Sequence, residues 1–439
     1  MLKKLQYACL IGSIGLIGAD RIDLFAGRGA FTLTPFLVLA PLAILIGILR
    51  ISPGRMFRLT YTPSIRRQVP FVVALSLFLL LSFASIPIGL DPQRSLMAFF
   101  DLLLVAVLGY FISQQILKEP DQEKLIVRSI AFGLVVYSIF CILEFVAWSH
   151  GVVMTAQRES SWLESTFGPA TLGPWAPALS GTEYDSNRSG FLLTMYLALL
   201  DRFAPKARHA PILRIAIPLL IALSLSRSGA LCWVAYYLSS HSFWRRLASR
   251  RVLVRIAAIA IVGSLVFVVY QERMIELAQA WEVADAVSAK MSMDPGSSGE
   301  SHILLIQRGL DTWLTSAKTV IAGIGYAAAP KVLEDFFGTN KRGNFHNLYV
   351  TTLAEMGFPA FLVLVFLLIY PVVGRMGVVS ATAAIIVFNI SYQTETEPML
   401  WLMLALLWSY ERRRPRWSQS LSSPSHDDPF AGAAITPLS

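Results

Sequence analysis

The chain has 439 residues, of which 55% are hydrophobic and only 15% are charged, and its formal net charge is +9. With a mean hydropathy of +0.58, this composition excludes an ordinary soluble globular protein. The positive charge does not indicate a nucleic-acid partner, because the basic residues lie between apolar runs, which is the orientation signal of a membrane protein. The three cysteines lie inside apolar runs, so neither a disulfide framework nor a paired-cysteine metal site is expected.

The chain begins with Lys3-Lys4, followed by an apolar run over residues 5–19. This pattern fits either a secretory signal or a first membrane helix that is retained, and we favour the retained helix. Further uncharged runs long enough to cross a bilayer include 31–49, 71–90 and 376–394. Backbone polar groups in lipid must be satisfied within each segment, so these runs are predicted to be helices.

Lysine and arginine are concentrated in alternate connections between the apolar runs. These connections are 55–67, 118–128, 202–214, 245–255 and 412–416. The alternation predicts an all-α polytopic membrane protein with about twelve transmembrane helices and both termini in the cytoplasm. A large helical periplasmic loop is predicted between spans 9 and 10.

Four regions follow from this topology. They are an N-terminal bundle of about nine spans (1–270), the periplasmic loop (271–345), the C-terminal transmembrane helices (346–410) and a disordered cytoplasmic tail (411–439). The tail is rich in serine and proline, which is typical of segments that bury little apolar surface.

Two apolar runs, 189–200 and 215–226, are too short for an ordinary span. At about 1.5 Å per residue each is roughly 18 Å long, against a hydrocarbon thickness of about 30 Å. Their predicted outer ends are Arg188 and Arg227. An arginine at membrane depth usually faces a protein interior or a watery cavity, which suggests a site, and the alternative is an arginine that snorkels to the interface.

The predicted outer loop contains helices of its own. Ser297 and Glu300 have the spacing of a capping box, which predicts the start of a helix that carries Arg308 and Trp313. A second, short helix is predicted near residues 330–337. A structured loop of this size indicates a role beyond connecting two spans.

His346 lies where this loop ends and an apolar helix begins. A histidine at such a border can contact water, lipid headgroups and protein interior, which suits proton transfer on an amphipathic substrate. Tyr349 follows one helical turn later. Glu355 lies on the opposite side of the helix, so we expect it to be a buried structural carboxylate. His150 and His302 are the alternative histidines on the predicted outer side.

Several short motifs occur in a fixed order along the second half of the chain. They are Ser224-Leu225-Ser226-Arg227-Ser228-Gly229, Arg308 with Trp313, Gly323-Ile324-Gly325, and His346-Asn347-Leu348-Tyr349 with Glu355-Met356-Gly357. In this order they resemble the O-antigen ligase and polymerase superfamily, and Asp185-Ser186-Asn187-Arg188 is similar to an Asn-containing segment of that family. The resemblance covers roughly 185–360, whereas the first half matches only in hydropathy.

The resemblance implies a glycosyltransferase of the bacterial inner membrane that works at its periplasmic face without a metal or other cofactor. It would move a glycan from an undecaprenyl-diphosphate carrier to an acceptor hydroxyl. Arg227 and Arg308 would bind the diphosphate, for which arginine's planar fork is suited, and His346 would accept the proton. The implied substrate-binding residues are Arg188, Asn187, Asn347, Tyr349 and Trp313. The implied partners are the lipid-linked donor, a glycan or lipid A core acceptor, the bilayer and other polysaccharide assembly proteins.

The sequence leaves two acceptors open. A polymerase adds the growing chain to a new lipid-linked repeat unit, and a ligase joins the finished polymer to lipid A core; we lean to the polymerase. A secondary transporter is the main rival class, but no repeat relates the two halves and the polar candidates cluster at one face. A scaffold role would leave the arginine and histidine motifs unexplained.

Overall fold

The computed structural model describes residues 1–22, 24, 33–50, 63–150, 156–157, 166–167, 179–183, 185–240, 298–337, 344–372 and 378–409. Within these ranges the regular structure is helical, as expected, apart from one pair of two-residue strands. The strands β1 (Ala156–Gln157) and β2 (Thr166–Phe167) pair antiparallel.

The described helices fall into four groups along the chain. The first contains α1 (Leu2–Gly15), α2 (Pro35–Leu49), α3 (Pro63–Ser85), α4 (Pro92–Lys118) and α5 (Gln122–Ser149). The second contains α6 (Ser186–Phe203), α7 (Ala210–Leu223) and α8 (Arg227–Leu238). The third contains α9 (Ser298–Leu314), α10 (Ala317–Ala322) and α11 (Ala329–Phe337). The last contains α12 (Leu348–Ile369) with the 3-10 turn Tyr370–Val372, α13 (Val379–Ser391) and α14 (Pro398–Trp408).

Among the described residues, four helical segments are long and apolar enough to cross a membrane. They are Gln68–Ser85, Pro92–Lys118, Gln122–Ala147 and Leu348–Val372. Four shorter apolar helices are Pro35–Leu49, Ala210–Leu223, Val379–Ser391 and Pro398–Trp408. The apolar helices indicate a membrane protein. The prediction of about twelve spans and the four predicted regions stay predictions, and residues 241–297 and the tail lie outside the described ranges.

Polar side chains fix the starts of three helices that carry the sequence motifs. Asp185 accepts a hydrogen bond from the N–H of Asn187 at 2.8 Å and caps α6. Ser226 caps α8 by accepting from the N–H of Gly229 at 2.8 Å. Asn347 likewise caps α12. Such caps satisfy N–H groups that a helix start leaves open, so each motif sets the point at which its own helix begins.

Helices α6 and α8 pack side by side, and α8 also packs against α13. Gly190 and Gly229 make the first contact possible, because a Cβ built on Gly229 would lie only 2.7 Å from the Cα of Gly190. Any side chain at either position would force the helices apart. The close approach brings the starts of α6 and α8 to the same end of the bundle.

Helix α9 is fastened to the start of α12 by a small apolar core. Leu305 of α9 and Leu333 of α11 are buried against Phe345 and Val350, and Trp313 packs on the same cluster. The helices predicted for this stretch are therefore present, and its position in a periplasmic loop stays a prediction. The predicted cap Ser297 lies outside the described residues.

Hydrogen bonds also connect the turn after α10 to the middle of α12. Gly357 interrupts α12 with a left-handed φ of 79°, just before Pro359. The Glu355 carboxylate accepts hydrogen bonds from the N–H groups of Ala327 and Ala329 at 2.8 and 3.0 Å. Its side chain is 1% exposed, as expected for a buried structural carboxylate.

Candidate functional site

A hydrogen-bonded path connects the starts of α6 and α8 with the segment that follows α13. The Ser226 hydroxyl donates to Asn187 Oδ1 at 2.7 Å, and Asn187 Nδ2 donates to Asp185 Oδ1 at 3.1 Å. The other oxygen of Asp185, Oδ2, accepts from the Tyr392 hydroxyl at 2.8 Å. The path therefore joins the Ser-Arg motif, Ser226-Arg227, to Tyr392.

His346 lies next to Tyr392. The two ring centroids are 6.2 Å apart and the planes meet at 78°, which is an edge-to-face contact. His346 has a left-handed φ of 51°, unusual for a residue with a Cβ, and its N–H donates to Asn344 Oδ1 at 2.8 Å. Two residues on, the N–H of Leu348 donates to the carbonyl of Tyr392 at 2.9 Å. The backbone around His346 is held on both sides.

Arg227 is the first residue of α8 and its side chain is exposed. It follows the capping Ser226 directly. The next residue, Ser228, accepts a hydrogen bond from the Ser391 hydroxyl at 2.9 Å, and Ser391 precedes Tyr392. Within the described part of the chain no carboxylate forms an ion pair with Arg227. Arg227 therefore stands beside a residue that is bonded to the segment carrying Tyr392.

Arg308 reaches the same region through α9. Its side chain is half-buried, and Leu305 on the same helix packs in the apolar cluster with Phe345, the residue before His346. The helix of Arg308 thus packs directly on α12, which follows His346, whereas α8, the helix of Arg227, packs on α13, which in turn packs on α12. The described contacts between those elements run through Phe345 on one side and through Tyr392 and Asp185 on the other.

Arg188 lies among three carboxylates. Its guanidinium is 2.8 Å from Asp20 Oδ2 and 3.8 Å from Glu183 Oε2, and it also forms an ion pair with Glu397. The Arg188 side chain is only 12% exposed. This environment gives Arg188 a structural role that the sequence did not indicate, since its charge is used within the protein. Its predicted contact with substrate stays a prediction.

Burial raises the pKa values of two carboxylates around Arg188. Burial raises the pKa of Glu397 to about 7, and the Arg188 charge opposes this rise. Burial, with the charge of Asp20, also raises the pKa of Glu183 well above its ordinary value. Oxygens of Asp20, Glu183 and Glu397 lie within 4.8 Å of one another, a spacing that a metal ion could use. In this arrangement, however, the cation between these groups is the Arg188 guanidinium.

Three other predicted substrate-binding residues donate side-chain hydrogen bonds to backbone carbonyls. The side chains of Asn347 and Tyr349 donate to carbonyls of α13 at 2.7 and 3.0 Å. Trp313 Nε1 donates to the carbonyl of Val320 at 3.2 Å. Asn187 is likewise bonded on both sides, to Asp185 and Ser226. The four residues shape the site, and their predicted contacts with substrate stay predictions.

The sequence reasoning missed the segment between α13 and α14. This segment supplies Tyr392, Glu395 and Glu397, and burial raises the pKa of Glu395 to about 7. The available signal was a polar run, Tyr392-Gln393-Thr394-Glu395-Thr396-Glu397, between two apolar runs. Two acidic residues in so short a connection indicate a polar environment near the predicted outer face.

A family model described as O-antigen ligase matches residues 212–365. This part of the chain is therefore similar to the O-antigen ligase family. The matched segment extends from α7 into α12 and includes Arg227, Arg308 and His346, so the resemblance drawn from the motifs is confirmed. No curated protein matches the chain.

The matched segment does not form the described site alone. Asp185 and Asn187 lie before the matched segment, and Tyr392 lies after it. All three belong to the hydrogen-bonded path that connects the Ser-Arg motif with the Tyr392 segment. Residues on both sides of the matched segment therefore belong to this path.

Proposed function

We propose that this protein transfers a glycan from an undecaprenyl-diphosphate carrier to an acceptor hydroxyl at the periplasmic face of the bacterial inner membrane. The observation that carries the proposal is the path from Ser226, which precedes Arg227, to Tyr392, which contacts His346. It connects the residue before Arg227, whose cation is suited to phosphate, with the ring that contacts His346, whose imidazole is suited to proton transfer. Arg227 and His346 both lie within the segment that matches a family described as O-antigen ligase.

In the proposed reaction the two arginines act on the leaving group and the histidine acts on the acceptor. The acceptor oxygen bonds to the anomeric carbon of the glycan, and the bond from that carbon to the carrier phosphate breaks. The electron pair leaves with the diphosphate, where Arg227 and Arg308 stabilise the charge. His346 accepts the proton of the acceptor hydroxyl. A diphosphate leaving group needs little protonation, so a single base suffices.

Helix orientation supports an anionic substrate at this end of the bundle. Helices α6, α8 and α12 all begin there, at Ser186, Arg227 and Leu348. The N-terminal end of a helix carries a partial positive charge, which stabilises a nearby anion. Three such ends beside the exposed Arg227 favour a diphosphate over a neutral ligand.

Two acceptors fit this chemistry. We put the polymerase first, in which the growing glycan is added to a new lipid-linked repeat unit, because that reaction occurs in more assembly systems. The ligase, which joins the polymer to lipid A core, is the second candidate, and the description of the matched family favours it. Loss of a polymerase leaves single-repeat products, whereas loss of a ligase leaves the core without glycan.

The test is complementation of a deletion strain. We expect His346→Ala, Arg227→Ala and Arg308→Ala to accumulate the same lipid-linked glycan as the deletion. Arg208→Ala serves as the control, because Arg208 is exposed beyond the other end of α6, and it should restore glycan assembly. Normal assembly by all three site variants, at normal expression, would overturn the proposal.

A further inference from the structure

The Gly323-Ile324-Gly325 motif, which the proposed reaction does not use, contacts the connection between α3 and α4. The N–H of Leu90 donates to the carbonyl of Ile324 at 2.8 Å. A Cβ built on Gly89 would lie only 2.7 Å from the Cα of Gly325, so a side chain at Gly89 would push the two segments apart. The end of α10 and the start of α4 therefore meet at one junction.

Two cations border this junction. Lys318 of α10 is exposed, and its Nζ donates to the carbonyl of Ile88 at 3.3 Å. Arg94 is in the first turn of α4 and is half-buried. Lys118, at the other end of α4, belongs to a connection that is predicted to be cytoplasmic. The two cations therefore lie at the predicted outer face, as His346 does.

The carboxylates that act on the charge of Arg94 are already bonded to backbone groups. They belong to Asp91 and Glu355. Asp91 caps α4 by accepting from the N–H of Arg94 at 3.1 Å, and Glu355 accepts from two N–H groups of the turn after α10. Among the residues that the structure describes, neither carboxylate forms an ion pair with the Arg94 guanidinium. A half-buried arginine without such a partner at membrane depth indicates a binding site for an anion.

Exposed apolar side chains flank the two cations. They are Ile88 and Leu90 before α4, Leu96 in its second turn and Ile321 of α10. Ile321 is 63% exposed, and Leu90 is 57% exposed. This combination fits an amphipathic anion, since a phosphate can bind the cations while a hydrocarbon chain packs on the apolar side chains. The chemistry is that of a lipid phosphate.

The polymerase reaction needs two lipid diphosphates in different places. The donor diphosphate leaves from the carbon that reacts, so it must lie beside that carbon. The acceptor diphosphate is separated from the reacting hydroxyl by the sugars of its repeat unit. The junction contacts α12 at Glu355, whose carbonyl accepts from the N–H of Gly325 at 2.9 Å. Leu348, at the start of α12, and Glu355 are roughly 10 Å apart along the helix at about 1.5 Å per residue, which a few sugars can bridge.

We propose that Arg94 and Lys318 bind the diphosphate of the lipid-linked acceptor. This inference rests on the proposed function in its polymerase form, and it adds a second phosphate site to the one at Arg227 and Arg308. Arg94 supplies a planar fork and Lys318 a flexible point charge, and both groups suit phosphate oxygens. Lys318 lies inside the matched segment 212–365, whereas Arg94 lies before it.

The first test measures acceptor kinetics of the full chain in proteoliposomes, with a labelled lipid-linked polymer as donor. Two acceptors carry the glycan that accumulates in the deletion strain, one on a prenyl diphosphate and the other on an uncharged prenyl alcohol. We expect wild type to have the lower KM for the diphosphate acceptor. Arg94→Gln and Lys318→Gln should each raise that KM about 10-fold to 100-fold, the effect of losing a charge-assisted hydrogen bond, with kcat and the other KM unchanged.

Three outcomes of this test would overturn the second site. They are equal KM values for the two acceptors in wild type, unchanged KM values in both variants, and a rise that is the same for both acceptors. Arg94→Lys keeps the charge and should recover part of the loss. The matched control is Lys331→Gln, an exposed cation of α11 that pairs with Glu334 at 3.5 Å. We expect wild-type KM values for it, and a rise equal to that of Lys318→Gln would contradict the proposal.

A binding measurement separates the acceptor from ordinary bilayer lipid. Farnesyl diphosphate is titrated onto the protein in phosphatidylcholine vesicles with and without phosphatidylglycerol. We expect two bound molecules per chain in both vesicles, and one in the double variant Arg94→Gln, Lys318→Gln. Loss of the second molecule when phosphatidylglycerol is present would assign these cations to lipid headgroups and would overturn the proposal.

His346→Ala distinguishes this inference from the proposed function. The variant should be inactive and should still bind two molecules of farnesyl diphosphate. Activity in His346→Ala would overturn the proposed function itself. An inactive His346→Ala beside unaffected acceptor kinetics in the Arg94 and Lys318 variants would overturn only the second phosphate site, and so would transfer to lipid A core alone.

Discussion

The hydroxyl of Tyr392 donates a 2.8 Å hydrogen bond to Asp185, although the two residues are 207 positions apart in the chain. This bond closes the polar end of the bundle between the start of α6 and the end of α13. Both residues lie outside the matched segment 212–365, and Tyr392 contacts His346, which lies inside it. The arrangement leads to four further predictions.

Arg188 should matter for stability more than for donor binding. Arg188→Ala would leave the carboxylates of Asp20, Glu183 and Glu397 buried together without a cation. Removal of one partner from a buried ion pair typically destabilises a protein by about 3–5 kcal/mol. We expect a clear drop in the melting temperature in detergent, partly restored by Glu397→Gln in the same chain. A normal melting temperature with weakened donor binding would instead support a direct contact between Arg188 and substrate.

Glu355 should be needed to hold the turn after α10. Glu355→Ala removes the acceptor of the Ala327 and Ala329 N–H groups, and each unpaired buried group costs about 1–3 kcal/mol. We expect lower thermal stability and lower activity, with Glu355→Gln intermediate because one acceptor remains. The control is Glu334→Ala on α11, where an exposed pair with Lys331 contributes little. Equal stability of Glu355→Ala and wild type would show that the turn is held by other contacts.

Stability should fall as the pH rises from about 5 to 8. Burial raises the pKa of Glu395 from its ordinary value of 4.5 to about 7. Between these values the folded protein keeps a proton that the unfolded chain has lost. The stabilisation is therefore complete below pH 4.5 and is lost as the pH rises through 7. Glu395→Gln should flatten the curve of melting temperature against pH. A steeper curve for Glu395→Gln than for wild type, or a wild-type melting temperature that rises with pH over this range, would contradict the prediction.

Chelation of divalent metals should leave glycan transfer unchanged. The acidic group in the described residues with metal-compatible spacing already surrounds Arg188, and in the proposed reaction the arginines stabilise the charge of the diphosphate. We expect equal transfer rates with and without EDTA in proteoliposomes. A rate that collapses with EDTA and returns with Mg²⁺ or Mn²⁺ would require a metal in the mechanism.

Local features of this fold could be predicted from the sequence. The helix that carries Arg308 and the short helix near 330–337 were both predicted, although the predicted cap Ser297 lies outside the described residues, and Glu355 was recognisable as structural from its position on the helix. The Ser-Arg and His-Asn motifs were found because each stands where a polar stretch meets an apolar one. These signals depend on neighbours within a few residues.

The long-range pairs could not be read in the same way. Nothing in the sequence indicates that Arg188 meets Asp20 and Glu397, because their contact depends on how three helix ends pack. Tyr392 was missed because a tyrosine between two apolar runs is typical of a membrane interface. Packing also determines that the Asn347 side chain caps α12 with its oxygen and donates to a carbonyl of α13 with its nitrogen.

Donor binding and glycan transfer by His346→Ala, measured in the same proteoliposomes, test the shared site of Arg227 and His346 most directly. We expect the variant to bind the lipid-diphosphate-linked glycan as wild type does and to transfer it at least about 100-fold more slowly. Arg227→Ala should lose binding as well. Transfer at the wild-type rate by His346→Ala would contradict a catalytic role for this histidine.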